Sequence, residues 1–218
     1  MMLSIDSTVK SHVYEWLKKQ IIIGELAFGT KISESAIANK FNISKSPVRG
    51  AIQRLVQEGL LTVKAKKGTF VTILDSKNLI DMMKFRSILE CGSLEIVIMN
   101  NKCEVLGCYL NEFIQKCRKD ITDENWDMYY QHDYQFHASL VQCAENQYLL
   151  TAHKSVSESI MAIMNQLGKK DKLAYASQNI DEHQEIVDCL INGSYKAALT
   201  LLKVHLDPNQ KPYLLENI

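Results

Sequence analysis

The sequence predicts a mainly α-helical chain in two parts. An N-terminal winged helix-turn-helix spans residues 1–74, and an all-α antiparallel helical bundle spans residues 75–218. Three observations carry this. Only Pro47, Pro208 and Pro212 interrupt the 218 residues, and long proline-free stretches place apolar residues at helical spacing. Strand-like runs flank a single turn between Leu60 and Ile73, and none follows. Charge changes at the same boundary. Residues 1–74 hold 11 Lys/Arg and 5 Asp/Glu, a balance of +6, while residues 75–218 hold 14 and 20, a balance of −6, within a formal net charge of zero. A basic N-terminal third suits a polyanion, and the acidic remainder does not.

The first helix is predicted over about 7–23, with Val13, Trp16, Leu17 and Ile21 at i, i+3, i+4 spacing and Gly24 as its stop. Residues 26–32 read as a short extended or turn segment. Ser33 then caps a second helix whose inner face is Ala36, Ile37, Ala38 and Phe41. Asn42 ends it, since asparagine tolerates the left-handed turn conformation. Ser44 opens a third helix with Pro47 in its first turn, the place where a helix accepts proline. Val48, Ala51, Ile52, Leu55 and Val56 form its buried face and Gly59 closes it. Residues 60–63 and 69–73 read as two strands joined by the turn Lys64–Gly68. Beyond Leu74 the periodicity predicts helices at about 76–99, 102–118, 123–143, 147–167, 176–191 and 194–206, with an irregular tail from Asp207.

Several classes are disfavoured. The N-terminus lacks a basic start followed by an apolar run, so no signal peptide is expected. No apolar stretch reaches the roughly 18 residues a membrane span needs. The six cysteines (Cys91, Cys103, Cys108, Cys117, Cys143, Cys189) form no CxxC pair and read as reduced core thiols, which fits a cytoplasmic protein.

Two short helices joined by a tight turn and followed by a hairpin place the second helix of the pair in a DNA major groove. Its first turns carry Ser44, Lys45, Ser46 and Arg49. Lys45 and Arg49 are four apart and share a face opposite Ile52 and Leu55. The Arg49 fork suits guanine O6/N7, and Ser44 and Ser46 suit phosphates at the helix start. Lys64, Lys66 and Lys67, beside Gly68, put cations on the hairpin tip within reach of a phosphate or minor groove. A double-stranded, pseudo-palindromic operator read by a homodimer is the implied partner.

The runs Ile32–Ala38, Phe41–Arg49, Ala51–Leu55 and Glu58–Leu61 closely resemble the GntR family of bacterial regulators over residues 10–73. Two departures stand out: Lys45 replaces the usual arginine, losing bidentate geometry, and Gly50 replaces the usual glutamate, weakening the helix by about 1 kcal/mol. Position 35, an arginine in relatives that contact DNA there, is Ser35.

In the acidic part, Asp133 and His137 are i, i+4 on one predicted helix, and His183 and His205 fall on the next-to-last and last helices. One carboxylate and three imidazoles suit Zn²⁺, Ni²⁺, Mn²⁺ or Fe²⁺. Spacing alone leaves surface or core histidines as the commoner explanation. The pattern Arg86-x-x-x-Glu90, Asp133-x-x-Phe136-His137 with Asn146, and His183 with Gly193 and His205 resembles the FCD sensor domain of the FadR-like branch. That resemblance implies a divalent metal (Zn, Ni or Mn) held by Asp133, His137, His183 and His205, and a small organic-acid effector met by Arg86. On its own, Arg86 is equally readable as a pair with Glu90. His132, His12 and His153 fall outside the pattern. A metal-dependent hydrolase and a DNA-binding regulator with a purely structural metal are the competing readings.

Overall fold

Helical spacing puts Val13, Leu17 and Ile21 on one side of the first helix, and all three are fully buried. A computed structural model describes residues 2–73, 75–167 and 172–210. They divide into two units, Met1–Leu74 and Asp75–Ile218.

The first unit begins with α1 (Met2–Ile22), which starts well before residue 7, where the spacing predicted it. A two-residue strand β1 (Lys31–Ile32) leads to α2 (Glu34–Phe41) and α3 (Lys45–Gln57). The capping chemistry is as the residue types require. Ser33 Oγ accepts the Ala36 amide at 3.2 Å, and Asn42 takes a left-handed φ of 52°. Ser44 has the extended backbone of an N-cap, but its hydroxyl makes no capping bond. α1 packs against α3, and Val13, Leu17 and Ile21 on the one and Val48, Ala51 and Leu55 on the other are each no more than 1% exposed. Truncating Leu17 or Leu55 to alanine would cost about 2–5 kcal/mol.

A polar clamp ties α1 to the end of α3. The Tyr14 hydroxyl donates to Glu58 at 2.8 Å, Lys18 Nζ reaches the same carboxylate at 3.0 Å, and Arg54 Nε reaches it at 3.1 Å. Burial pushes the Tyr14 phenol up to about 12. Burial alone would raise Glu58 too, but the hydrogen bonds from Tyr14 and Lys18 outweigh it and hold the carboxyl below its ordinary value.

Strands β2 (Leu61–Lys64) and β3 (Gly68–Val71) form the expected hairpin. The sheet has three strands in the order β1-β3-β2, all antiparallel, where the sequence predicted two. The extra one forms because Ile32 is buried, so the segment before α2 runs extended beside β3. Gly68 has a φ of 113°, and a Cβ there would meet Lys31 Cε at 3.1 Å, so the hairpin needs glycine at this point.

The second unit is a bundle of α4 (Ser76–Met99), α5 (Cys103–Thr122), α6 (Trp126–Cys143), α7 (Gln147–Leu167), α8 (Lys172–Ile191) and α9 (Tyr195–His205). A short 3₁₀ turn, Pro208–Gln210, begins the tail predicted as irregular, and residues 211–218 lie outside the described residues. α4 packs against α6, α7 and α9, and α5 packs against α6 and α8. The predicted break at Lys119-Asp120 is wrong. Asp120 is buried and bonded to His132 Nδ1 at 2.6 Å, so α5 continues, and the chain turns at Glu124 with a φ of 52°. α8 begins four residues before position 176, and the break expected at 168–170 lies outside the described residues. The cysteines are all free. Only Cys103 and Cys117 are buried core thiols, and Cys108 is exposed. Among the described residues no helix is long and apolar enough to cross a membrane.

Candidate metal centre and DNA interface

The N-terminal turns of α3 present Ser44, Lys45, Ser46 and Arg49 to solvent, with Ser35 exposed on α2 and Lys66, Lys67 and Gly68 exposed at the hairpin tip. These residues share no contact network. The Arg49 side chain is 61% exposed and, among the described residues, held only by Glu34, at 3.0 Å, an ion pair that a phosphate or base edge can displace.

The second unit does the opposite with its polar groups. His137 on α6, His183 on α8 and His205 at the end of α9 point their Nε2 atoms at one another, at 3.2, 3.1 and 3.3 Å. All three are buried. The Nδ1 of His137 meets Glu90 at 2.7 Å and that of His205 meets Glu182 at 2.6 Å. Each of these Nδ1 atoms therefore donates to a carboxylate, which leaves the matching Nε2 as a bare lone pair. The His137 and His205 lone pairs, 3.3 Å apart, repel unless a proton or a cation sits between them. A metal bonded to three nitrogens at about 2.1 Å sets them roughly 3.0–3.4 Å apart, the spacing found here. The ring of Phe136 stacks on His183 with centroids 3.7 Å apart and fixes its plane. These three histidines could hold a metal ion.

Asp133 stands at the rim. Its Oδ1 is 4.0 Å from His183 Nε2 and accepts from Asn179 Nδ2 at 2.6 Å. The carboxylate adjoins the triad without closing on it.

Glu90 is the hub behind the triad. Fully buried, it accepts from Arg86 Nε at 2.6 Å, His137 Nδ1 at 2.7 Å and His153 Nε2 at 2.9 Å. Burial opposes its charge, but Arg86 and His137 outweigh that and hold the carboxyl well below the usual range. Burial and the Arg86 guanidinium together push His137 below its ordinary value, keeping the ring neutral at pH 7 as a metal ligand requires. Arg86 also lines a cavity with Met83, Asp133, Tyr134, His137 and Asn179. The volume open to a water's centre is about 20 Å³, room for little more than a single water.

Two family models match. Residues 9–71 fit the Bacterial regulatory proteins, gntR family, and residues 81–208 fit the FCD domain, which covers more than half of the chain. This chain belongs to the GntR family. Its relatives include the "Probable D-xylose utilization operon transcriptional repressor" of Paenarthrobacter nicotinovorans, 30% identical over 92% of this chain and 86% of that one. Another is an HTH-type regulator of Streptomyces ambofaciens from an unstable DNA locus, 28% identical over 91% of this chain and 82% of its own. A GntR regulator of Rhodococcus sp. RHA1 shares the fold, with a TM-score of 0.80 at 21% identity, covering 94% of this chain and 97% of that structure. The two sequence relatives are transcriptional regulators, not enzymes, and lend the hydrolase alternative no support.

Of the predicted ligands in this GntR regulator, the fold brings His137, His183 and His205 together and leaves Asp133 at the edge. Arg86 pairs with Glu90 through Nε, as the i, i+4 spacing allowed, and also lines the cavity. His153 stays outside the triad, as expected, but it has partners the sequence reading missed. It is buried, and its Nε2 faces both Glu90 and Ser157, at 2.9 and 3.0 Å. The sequence signal was there, since Ser157 lies four residues on and shares its helix face. Glu182 and Asn179 were missed for want of any pattern. His132 is rightly outside, bonded to Asp120.

Proposed function

We propose that this GntR regulator is a homodimer that binds a pseudo-palindromic operator through residues 1–74 and is controlled by a small carboxylate bound beside a divalent metal in residues 75–218. The cytoplasm, where its DNA lies, is its place of action. Lys45 and Arg49 would read the major groove, with Ser35, Ser44 and Ser46 on the backbone and Lys66, Lys67 and Gly68 at the neighbouring phosphate or minor groove. His137, His183 and His205 would supply three metal bonds and Asp133 a fourth ligand, with Zn²⁺, Ni²⁺ or Mn²⁺ suiting that donor set. Bound metal would supply an electrophilic anchor for a carboxylate oxygen, and the Arg86 fork would grip the same group. The cavity is small, so the ligand would enter by displacing flexible Met161 and Met164. To alter operator affinity it must bind one arrangement of the dimer better than another.

The single observation that supports this most is the convergence of three imidazole Nε2 nitrogens at 3.1–3.3 Å with carboxylates behind two of them. The test is elemental analysis of chelator-free protein. We expect about one metal per chain in the parent and none in His183→Ala. A parent that takes up none after addition of Zn²⁺, Ni²⁺ or Mn²⁺ would sink the metal centre. Metal-loaded protein whose DNA affinity ignores a panel of small carboxylates would instead make the metal structural.

A further inference from the structure

Gly50 sits inside α3, where a glycine weakens a helix and where the family resemblance led us to expect glutamate. A Cβ at Gly50 would stand 2.8 Å from Lys10 Cε, 3.1 Å from its Cδ and 3.2 Å from its Nζ. The Lys10 stem, on α1, therefore lies in the space a side chain at position 50 would fill. That seat carries the ammonium to a surface groove lined by Lys10, Ser46, Pro47, Arg49, Gly50 and Gln53. No acidic side chain lines it, and among the described residues no carboxylate pairs with Lys10. Ser46, Arg49 and Gln53 are exposed along the outer face of α3.

We propose that Lys10 is a DNA-phosphate contact on α1, seated beside the DNA-reading face of α3 by the missing side chain of Gly50. A lysine is a compact charge on a flexible stem, suited to a phosphate and not to reading a base edge. A glutamate at position 50 would fill the seat and stand within ion-pairing reach of the ammonium, cancelling the charge offered to DNA. On this account the glycine exchanges helix stability for one more cation at the interface.

The proposal rests on α3 being the DNA-reading helix, so the test carries an arm for that. The full chain is titrated with a mixed-sequence DNA duplex across a salt series, as parent, Lys10→Gln, Gly50→Ala, Gly50→Glu and Arg49→Ala, with thermal unfolding of each. Lys10→Gln should bind several-fold more weakly at low salt, lower the slope of log affinity against log salt by about 0.9 per bound chain, and leave the melting temperature unchanged. Gly50→Ala should melt higher, as an alanine in a helix does, yet bind DNA more weakly. Gly50→Glu should weaken binding at least as much. In the double variant Lys10→Gln/Gly50→Ala the alanine should weaken binding no further, because it acts through the Lys10 side chain. If Lys10→Gln keeps the parental affinity and slope while Arg49→Ala weakens binding, the Lys10 contact is wrong and α3 remains the reading helix. If neither weakens binding, the assignment of α3 fails with it. If Gly50→Ala binds as the parent does, Lys10 is not seated by the glycine.

Discussion

Arg49 and Arg86 are one side chain put to opposite uses. Arg49 leaves 61% of its side chain in water and pairs with Glu34. Arg86 is 9% exposed and locked to the fully buried Glu90 at 2.6 Å, inside a cluster that also ties down His137 and His153. A cation at the surface is cheap to hold and free to meet a polyanion, but salt screens it. A cation in the core is costly to desolvate, so it must be fully paired, and in return it fixes geometry. Binding a duplex needs the first kind of group, and holding three imidazoles at one point needs the second.

The sharpest way to break that contrast is to remove the buried hub. Glu90→Ala leaves Arg86 buried without its partner and takes the acceptor from two histidines. It should destabilise the FCD unit by about 3–5 kcal/mol, seen as a lower midpoint in urea unfolding followed by far-UV circular dichroism. A loss under about 1 kcal/mol would mean that the buried cluster behaves like a surface pair.

A smaller effect tests the polar clamp of the first unit by pH. Glu58 is held below its ordinary value near 4.5 by Tyr14 and Lys18. Between its folded value and 4.5 the unfolded chain binds more protons, so stability rises with pH there. The clamp's contribution is therefore complete above about 4.5 and is lost as pH falls through the lower, folded value. Thermal midpoints should drop on acidification below 4.5 in the parent and less steeply in Glu58→Gln. Equal slopes would show that the carboxylate is no more stabilised in the fold than in the open chain.

The smallest effect concerns the exposed pair. Glu34→Gln frees Arg49, and mixed-sequence DNA should bind up to about fivefold more tightly at low salt, with the gain gone at high salt. No gain at low salt would mean that Glu34 does not compete with DNA for the arginine.

The DNA-reading unit was legible because its signals are local. Ser33, Asn42, Pro47 and Gly68 each fix a cap or turn within a few residues, and the exposed cations follow from helix and hairpin position alone. The strand at Lys31–Ile32 escaped because two residues carry no period; only the partner β3 makes them a strand. In the FCD unit, helical spacing put Asp133 and His137 on one face, and the resemblance added His183 and His205. Nothing local said that Asp133 would bond Asn179 and stop 4.0 Å from His183, or that Glu182 would stand behind His205. The stop placed at Asp120 failed for a related reason. A polar residue that reads as a helix breaker became a buried partner of His132.

The sequence by itself determined the order of the elements, the helical class, the division of charge between the two parts and the family to which the chain belongs, because these depend on periodicity, capping residues and motifs within short windows. Only the tertiary structure decided which imidazoles meet, which carboxylates orient them, that Arg86 also lines the cavity, and that Lys10 lies in the space Gly50 leaves. The contacts within the triad join residues 22 to 68 positions apart, and the one at Gly50 joins residues 40 apart. Their distances are set by how helices pack, and no local pattern encodes that.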